Sequence, residues 1–424
     1  MGIAVIVMFI VLFVIGFPVA VSILIPCVWY ILSQGLPLEM IAQRMQYALD
    51  SYVLAAVPLF ILVGNLMNTS GITARIFSFA DRMVGRLPGG LAQVNIFASL
   101  IFSGMSGAAL ADVGGLGQIE IKAMEEKGFE KSFASAVTVA SATVGPIFPP
   151  SVPLVIYGAI AGISVLKLLL SGIMPAIIAV ILMMLLTGYL AIKRGYPRAD
   201  RWPSFKEIWV VFVPALPALL TPIILIIGML SGVFTPTEAS ALTVFYVFLI
   251  SFIYRELTMK GIVDAFVETV KSCASVLIIF AAASLFGWIL AVEQVPQMFS
   301  SFLLSTSNNP IVLLAIINLM LLVVGTILDS TTAILLLVPI IIPPLVSVGI
   351  DPIHLGIIFV FNIMVGLITP PMGLSLFMVS RIAKVPISKV VKQVLPYYVP
   401  LGITLILVTY VPRLILWIPN MLSK

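Results

Sequence analysis

Two long apolar stretches constrain the fold of this chain more than any motif does. Residues 132–192 contain one charged side chain, Lys167, and residues 272–328 contain one, Glu293. A helix that crosses a hydrocarbon core of about 30 Å needs roughly 20 apolar residues, and this chain supplies many such segments. Neither stretch alternates with the two-residue period of barrel strands, so the segments are predicted to be helices. The sequence therefore predicts an all-α polytopic protein of an inner membrane.

Composition and charge narrow the class of protein. Hydrophobic residues make up 61% of the chain and charged residues 9%, which is typical of a protein dissolved in lipid. The net charge of +5 comes from loops, so it reports orientation in a membrane and excludes a nucleic-acid partner. Cys27 and Cys273 both lie in apolar stretches and are predicted to be buried thiols that form no disulfide.

Basic residues predict which side of the membrane each loop faces. The strongest cytoplasmic marker is a cluster between two long spans, made of Lys193, Arg194, Arg198, Arg201 and Lys206. Counting spans outward from it predicts a cytoplasmic N-terminus and a periplasmic C-terminus. Residues 2–33 lack a positive n-region and a small-residue cleavage site, so they are predicted to be a retained span with a break near Gly16, Phe17 and Pro18.

A helix-breaking motif occurs twice inside apolar stretches. It reads Gly-Pro-Ile-Phe-Pro-Pro at 145–150 and Gly-Leu-Ile-Thr-Pro-Pro at 366–371. The two copies lie 221 residues apart, and the same offset aligns 103–175 with 324–396 without a gap. The matching positions are mainly glycine and proline, which set backbone geometry. Basic residues cluster on one side of each motif and not at the shifted positions, so the two halves are predicted to be inverted in the membrane.

Each half also contains an interrupted apolar segment before its helix-breaking motif. Residues 91–118 carry glycines and serines at their centre, and residues 311–344 carry Gly-Thr-Ile-Leu-Asp-Ser-Thr-Thr at 325–332. Such centres suit a turn, so both segments are predicted to be re-entrant helical hairpins. The predicted fold therefore has two hairpins and two broken helices in inverted structural repeats.

Broken helices at membrane depth point to a binding site. Unpaired backbone groups in lipid cost several kcal/mol each, so a break must face protein, water or a ligand. A half-helix N-terminus attracts an anion, and carbonyls freed at a C-terminal end attract a cation. This arrangement is typical of secondary transporters, and no phosphate-binding loop for ATP is present.

Few polar side chains lie within the predicted spans. Asp329 is the only charged residue in 294–350, which favours a cation site over a buried structural hydrogen bond. The cation is predicted to be sodium, although coupling to protons through Asp329 stays open. Asp112 and Glu238 are weaker candidates, since both could lie where the membrane meets water. His354 is predicted to be a solvated loop residue, and a single histidine cannot form a metal cluster.

Five motifs together resemble the large membrane subunit of tripartite ATP-independent periplasmic (TRAP) transporters. They are Phe-Ser-Gly-Met-Ser-Gly at 102–107, Gly-Pro-Ile-Phe-Pro-Pro-Ser at 145–151, Phe-Thr-Pro-Thr-Glu-Ala-Ser at 234–240, Leu-Asp-Ser-Thr-Thr at 328–332 and Gly-Leu-Ile-Thr-Pro-Pro-Met-Gly at 366–373. The resemblance implies sodium-coupled import of carboxylate-bearing solutes, such as sialic acid or four-carbon dicarboxylates, across a bacterial inner membrane. It implies no cofactor besides sodium as the coupling ion, and two partners: a small membrane subunit (Q-type) and a periplasmic binding protein (P-type).

The resemblance also implies two cation regions and a solute site. The first cation region falls on Ser103, Ser106, Val144, Gly145 and Pro149, and the second on Gly325, Thr326, Asp329, Gly366, Thr369 and Met372. The carboxylate solute is expected between the hairpin tips and the breaks, at Ser103, Gly104, Ser106, Pro150, Ser330, Thr331 and Pro371. The first hairpin departs from the family's serine-rich form at Ala108 and Ala109, which weakens a side-chain role there.

The resemblance further implies an elevator mechanism with the chain divided between scaffold and transport regions. The scaffold regions are predicted at 1–90 and 208–310, the transport regions at 91–192 and 311–424, and a basic cytoplasmic connection at 193–207. Three alternatives remain at this stage. A stand-alone anion carrier needs no binding protein, an intramembrane enzyme needs a nucleophile with a base or metal, and a channel needs a filter repeat. The sequence shows neither the paired catalytic residues or metal cluster of an intramembrane enzyme nor the filter repeat of a channel.

Overall fold

All regular structure in the described part of the chain is helical, which confirms the predicted all-α class. The computed structural model describes residues 1–106, 109–199 and 201–422, without the side chains of 103–106 and 111. The helices of the first half are α1 Gly2–Ile15, α2 Val19–Ser33, α3 Glu39–Leu49, α4 Ala56–Thr69, α5 Ile72–Val84, α6 Leu91–Ser106, α7 Ala109–Gly114, α8 Leu116–Glu126, α9 Lys131–Ser141, α10 Val152–Ala161 and α11 Val165–Arg194.

The second half of the described chain is also helical. They are α12 Phe205–Leu230, α13 Pro236–Ile253, α14 Met259–Val292, α15 Val295–Thr306, α16 Pro310–Gly325, α17 Ser330–Ser347, α18 Pro352–Gly366, α19 Leu374–Ala383, α20 Ile387–Val394, α21 Tyr398–Tyr410 and α22 Pro412–Leu422. Helices α9 and α18 start 221 residues apart, which is the offset of the sequence repeat.

Seven helical segments in the described part are long and apolar enough to cross a membrane. They are Tyr52–Thr69, Val165–Arg194, Phe205–Leu230, Pro236–Ile253, Met259–Val292, Ser330–Ser347 and Ile387–Tyr410. Shorter apolar helices are also present, among them α10, α18 and α19 of the broken helices. The prediction of a polytopic protein is therefore confirmed. The shorter helices fall below the length of a membrane span because breaks or turns in the chain end them early.

The predicted break in the first segment is present. Helix α1 ends at Ile15, and Gly16 adopts a φ of 104°, a left-handed conformation that glycine tolerates best. Pro18 then caps α2, which begins at Val19. The residues that sequence reasoning singled out therefore separate two short helices instead of bending one.

The first hairpin is longer than predicted. Its second arm consists of α7 and α8 and reaches Glu126, whereas the sequence placed the end of the segment at 118. The mixed charges that indicated a loop lie on the exposed face of α8, at Lys122 and Glu125, while Ile121 and Met124 are buried. An amphipathic helix continues through the charged residues, and this is why the boundary was wrong.

The second hairpin turns between α16 and α17, within the predicted 325–332 interval. Both helix breaks are also where the sequence placed them. Helix α9 ends at Ser141, a short 3₁₀ turn covers 142–144, and α10 begins at Val152. Helix α18 ends at Gly366 and α19 begins at Leu374. The Pro149-Pro150 and Pro370-Pro371 peptide bonds are both cis.

The hairpins and broken helices pack in a crossed arrangement. Helix α7 of the first hairpin contacts α19, which follows the second break, and α17 of the second hairpin contacts α10, which follows the first break. Elsewhere, α4 packs against α13 and α14, and α5 packs against α12. Helices from the two predicted scaffold regions thus pack on one another.

Candidate functional site

In the second cation region, backbone atoms of the second hairpin lie in direct contact with backbone atoms of the second broken helix. A Cβ atom on Gly366 would lie 2.5 Å from the Cα and C atoms of Gly325, and 2.9 Å from its carbonyl oxygen. Two glycines at these positions are required because any side chain would occupy space already filled by the other backbone. The contact joins the end of α16 to the end of α18, where helix carbonyls lack intrahelical donors.

Hydrogen bonds fix the loops on either side of this glycine contact. The backbone N–H of Gly373 donates to the carbonyl of Thr326 over 3.0 Å, which ties the hairpin tip to the loop after the break. The Thr369 hydroxyl donates to Val365 at 2.7 Å, and the Tyr398 hydroxyl donates to Ile368 at 2.6 Å. Thr326 and Thr369, both predicted cation ligands, are therefore held in place within one network.

Asp329 begins the second arm of the second hairpin. Its Oδ2 accepts hydrogen bonds from the backbone N–H groups of Thr331 at 2.9 Å and Thr332 at 3.2 Å, and its Oδ1 accepts from the Thr332 hydroxyl. Asp329 is thus the N-cap of α17 and is partly buried. A carboxylate has about four lone-pair sites, so the cap leaves capacity for a cation. Ser330 and Thr331 lie in the first turn that it caps.

The first cation region is more enclosed. Val144, Gly145, Pro149 and Pro150 are all buried. The carbonyl of Val144 accepts from two backbone N–H groups, those of residues 147 and 148, at 3.0 and 3.1 Å. At the equivalent second break Pro370, Pro371 and Met372 are exposed, so the two breaks differ in accessibility.

Close backbone packing also stabilises the first break. A Cβ on Gly172 of α11 would lie 1.9 Å from the carbonyl oxygen of Ile147, so only glycine permits this approach. The loop between α9 and α10 is therefore pressed against the long α11 helix. Its position depends on a residue that lies outside the break motif.

Ser151 connects the two ends of the first break. Its hydroxyl accepts from the Leu154 N–H at 3.2 Å, which caps α10, and donates to the carbonyl of Pro146. The residue is completely buried. A buried N-cap with a second hydrogen bond leaves two polar groups unsatisfied when it is removed.

Ser151→Ala is expected to lower the free energy of unfolding by about 2 kcal/mol. Ser164→Ala is the matched control, because Ser164 caps α11 through a longer, exposed hydrogen bond of 3.4 Å to Lys167. That change is expected to cost about 0.5 kcal/mol. Thermal unfolding of both variants in one detergent measures the difference, and equal losses would contradict the role given to Ser151.

Sequence reasoning missed two polar links between the hairpins and the broken helices. Ser141 on α9 donates to the Asn95 side chain of α6 at 2.9 Å and is 3.0 Å from the Ser99 hydroxyl. Asn362 on α18 occupies the equivalent repeat position and donates to the Asn318 side chain of α16 at 2.6 Å. Asparagines within apolar helices were the available signal.

Part of the predicted site lies outside the described residues. Ser103, Gly104 and Ser106 belong to the last turn of α6, but the side chains of the two serines are not among those described. Gly107 and Ala108 lie outside the described residues altogether. The described part of the first cation region therefore consists of the break between α9 and α10.

The structure also places the three remaining single candidates, and only His354 clearly departs from its expectation. His354 is not a solvated loop residue, because it lies buried on α18 with its Nε2 2.8 Å from the carbonyl of Val408. Asp351 is the N-cap of α18 and Pro352 is its first residue, so the helix already includes His354. Glu238 is exposed and completes a capping box with Thr235. Asp112 is buried on α7.

The site offers hard oxygen ligands and no transition-metal set. No group of three or more histidine, cysteine, aspartate or glutamate side chains that could hold a metal occurs among the described residues. What the two regions present instead are backbone carbonyls, threonine hydroxyls and the Asp329 carboxylate. Such oxygens suit a monovalent cation, while the N-termini of α10 and α17 suit a carboxylate.

Known proteins with similar sequences cover nearly the whole chain. The sialic acid TRAP transporter large permease protein SiaM of Vibrio cholerae is 44% identical over 411 residues, which are 96% of this chain and 95% of that protein. The sialic acid TRAP transporter permease protein SiaT of Haemophilus influenzae is 39% identical over 99% of this chain and 68% of its own length. Both similarities are high enough to show a common family.

A solved structure and a family model agree with this relationship. The crystal structure of the Alcanivorax borkumensis YdaH transporter, described as having an unusual topology, superposes with a TM-score of 0.62 over 90% of this chain and 88% of that one. At 16% identity it supports the fold alone. The family model of the tripartite ATP-independent periplasmic transporter DctM component matches residues 6–414. The chain therefore belongs to the family of large membrane permease components of TRAP transporters, which are transporters and not enzymes.

Proposed function

We propose that this chain imports a carboxylate-bearing solute, sialic acid in the first place, driven by a sodium gradient. The observation that carries the proposal is the crossed packing of the hairpins and breaks, in which α17 of the second hairpin packs against α10 of the first broken helix. Helix N-termini favour an anion, and neighbouring carbonyls and Asp329 favour a cation. The names of the SiaM and SiaT relatives support sialic acid as the solute.

Binding of sodium and binding of the solute would both stabilise the same assembled site. The Gly325–Gly366 contact and the Thr326–Gly373 hydrogen bond join the hairpin to the broken helix. A cation bound among these carbonyls would strengthen the joined arrangement, and the solute would then meet preformed helix N-termini. Coupling of this kind is reciprocal, so solute also raises the affinity for sodium.

The transport step would move the hairpins and broken helices as one body. Helices α13 and α14 both pack on α4, and this group is suited to remain fixed as a scaffold in the lipid while α6, α10 and α17, which contact it, move past it. An elevator displacement of 91–192 and 311–424 against 1–90 and 208–310 is consistent with this grouping. The exposed second break and the buried first break support a conformation open on one side only.

Two partners complete the proposed transporter. A small membrane subunit of the Q type would extend the scaffold, and a periplasmic P-type protein would deliver the solute. The basic cluster between α11 and α12 supports a cytoplasmic position for that connection, with the N-terminus cytoplasmic and the C-terminus periplasmic. The inner membrane of a bacterium provides both the sodium gradient and the periplasm.

Uptake into proteoliposomes tests the proposal directly. With both membrane subunits reconstituted and the binding protein supplied outside, labelled sialic acid is expected to accumulate only under an inward sodium gradient. An equal potassium gradient is the control for osmotic effects. Uptake that ignores sodium contradicts the coupling, and uptake without the binding protein identifies a stand-alone anion carrier. Competition by unlabelled four-carbon dicarboxylate, if stronger than by sialic acid, contradicts the assigned solute.

A further inference from the structure

Glu120 is a completely buried carboxyl group that the proposed transport chemistry does not use. It lies on α8, in the second arm of the first hairpin and outside the seven spanning segments, and its side chain is 1% exposed. Neither carboxylate oxygen has a hydrogen-bond partner within the described part of the chain. An ionised carboxylate pays a much larger desolvation penalty at such a position than a neutral carboxylic acid does.

The packing of α8 explains why Glu120 is enclosed. Residues 117, 120 and 124 lie on one face of the helix, because they are three and four positions apart. A Cβ on Gly117 would lie 2.7 Å from the Thr138 methyl group of α9, and the Met124 sulfur is 4.0 Å from the Asn95 side chain of α6. Glu120 therefore lies between two close contacts that exclude water from this face.

Among the described residues, the helices packed against α8 place no positive charge next to Glu120. Helix α7 contributes Asp112, which is 2% exposed and of the same sign, and the sequence of α6 has no titratable side chain. On α9 the only charged residue is Lys131, whose Nζ pairs with the partly exposed Glu125 at 3.0 Å. On α19 it is Arg381, which is exposed. Burial raises the pKa of Glu120 well above its usual value, and the negative charge of Asp112 adds to the rise.

We propose that Glu120 is a proton-binding site, neutral at physiological pH in this conformation. The ligand is a single proton, which the side chain takes from water as the hairpin packs and returns to water when the packing opens. Helix α8 contacts α9 of the same repeat and α19 of the other, so the proton is held at a boundary between the two repeats. This inference does not depend on sodium coupling or on the identity of the solute.

The pH dependence of stability follows from the sign of the shift. A carboxyl group whose pKa is higher in the folded than in the unfolded state stabilises the fold at low pH. That contribution is fully present below the unfolded-state pKa and is lost progressively as pH rises from there to the folded-state pKa. Glu120→Gln keeps the shape of the neutral acid and cannot ionise, so it should remove this loss.

Thermal unfolding of the purified full chain between about pH 4 and about pH 9 provides the test. We expect the wild type to lose about 2 °C or more per pH unit relative to Glu120→Gln once pH exceeds about 4.3, the usual pKa of an exposed glutamate, with equal melting temperatures below that pH. Glu126→Gln is the control, since Glu126 is exposed on the same helix. It is expected to follow the wild type at every pH.

Infrared spectroscopy gives a second readout that a purely structural role would not change. The carbonyl stretch of a protonated carboxylic acid is expected at neutral pH in the wild type and in Glu126→Gln, with its intensity reduced in Glu120→Gln. Parallel pH profiles for wild type and Glu120→Gln, or an unchanged protonated-acid band, would overturn the proposal. Stabilisation by sodium that disappears in Glu120→Gln would also overturn it, because the bound ligand would then be a metal cation.

Discussion

Gly366→Ala is expected to reduce both the stability of the protein and its transport activity. The added Cβ would lie 2.5 Å from two backbone atoms of Gly325, and backbone cannot rotate aside as a side chain can. Either α16 or α18 must shift, which separates the hairpin from the broken helix at the second cation region. We expect a loss of about 3 kcal/mol in the free energy of unfolding, together with loss of sodium-driven uptake.

Gly402→Ala is the control for the Gly366 substitution. Gly402 lies within α21, and a Cβ there meets no atom within 4 Å. Alanine is the better helix former, so this change is expected to stabilise the protein by about 0.5–1 kcal/mol. Thermal unfolding and uptake are measured for both variants. A Gly366→Ala protein as stable and active as Gly402→Ala would contradict the direct backbone contact.

The second large effect is expected for Asp329→Asn. Asparagine caps a helix about as well as aspartate, so the hydrogen bonds to Thr331 and Thr332 can persist and α17 should remain intact. The change removes the one formal negative charge in 294–350. We expect the apparent affinity for sodium in uptake assays to fall by about tenfold or more, which corresponds to about 1.4 kcal/mol.

Asp351→Asn provides a control with the same local geometry. Asp351 is the N-cap of α18 and accepts from the N–H groups of Ile353 and His354 at 2.7 and 3.2 Å, but it is exposed at a helix end outside the proposed site. Its substitution is expected to leave the dependence of uptake on sodium unchanged. If Asp329→Asn has a normal sodium dependence and an unchanged melting temperature, the carboxylate serves only as a helix cap.

The sequence predicts well where the helices of this fold break and where the chain turns. The breaks at 145–150 and 366–371, the turn at 325–332 and the left-handed Gly16 are read from glycine and proline, whose conformational limits are local properties. The repeat offset of 221 residues reappears in the starts of α9 and α18 for the same reason. Family resemblance then supplied the overall architecture, which single positions do not specify.

Properties that depend on which face a helix buries were not predicted. Glu120 lies beyond the predicted end of the first hairpin segment at 118 and His354 was predicted to be a loop residue, yet both are buried. The pairing of Asn362 with Asn318 joins helices whose contact no local pattern reveals. Prediction of the cation ligands from sequence is limited for a similar reason. Any residue can contribute a backbone carbonyl, so the sequence signal lies only in glycines that let two backbone segments approach each other, such as Gly325 and Gly366.

The crossed packing of the repeats has a consequence for how the protein is made. Helix α7 and the helix it contacts, α19, are about 260 residues apart in the chain. At a synthesis rate of ~5–20 residues per second, the first hairpin waits roughly 10–50 seconds for its partner to leave the ribosome. During biogenesis the nascent first repeat must therefore persist in the membrane with an open face. An insertase or chaperone that shields this face would act in the interval before α19 arrives.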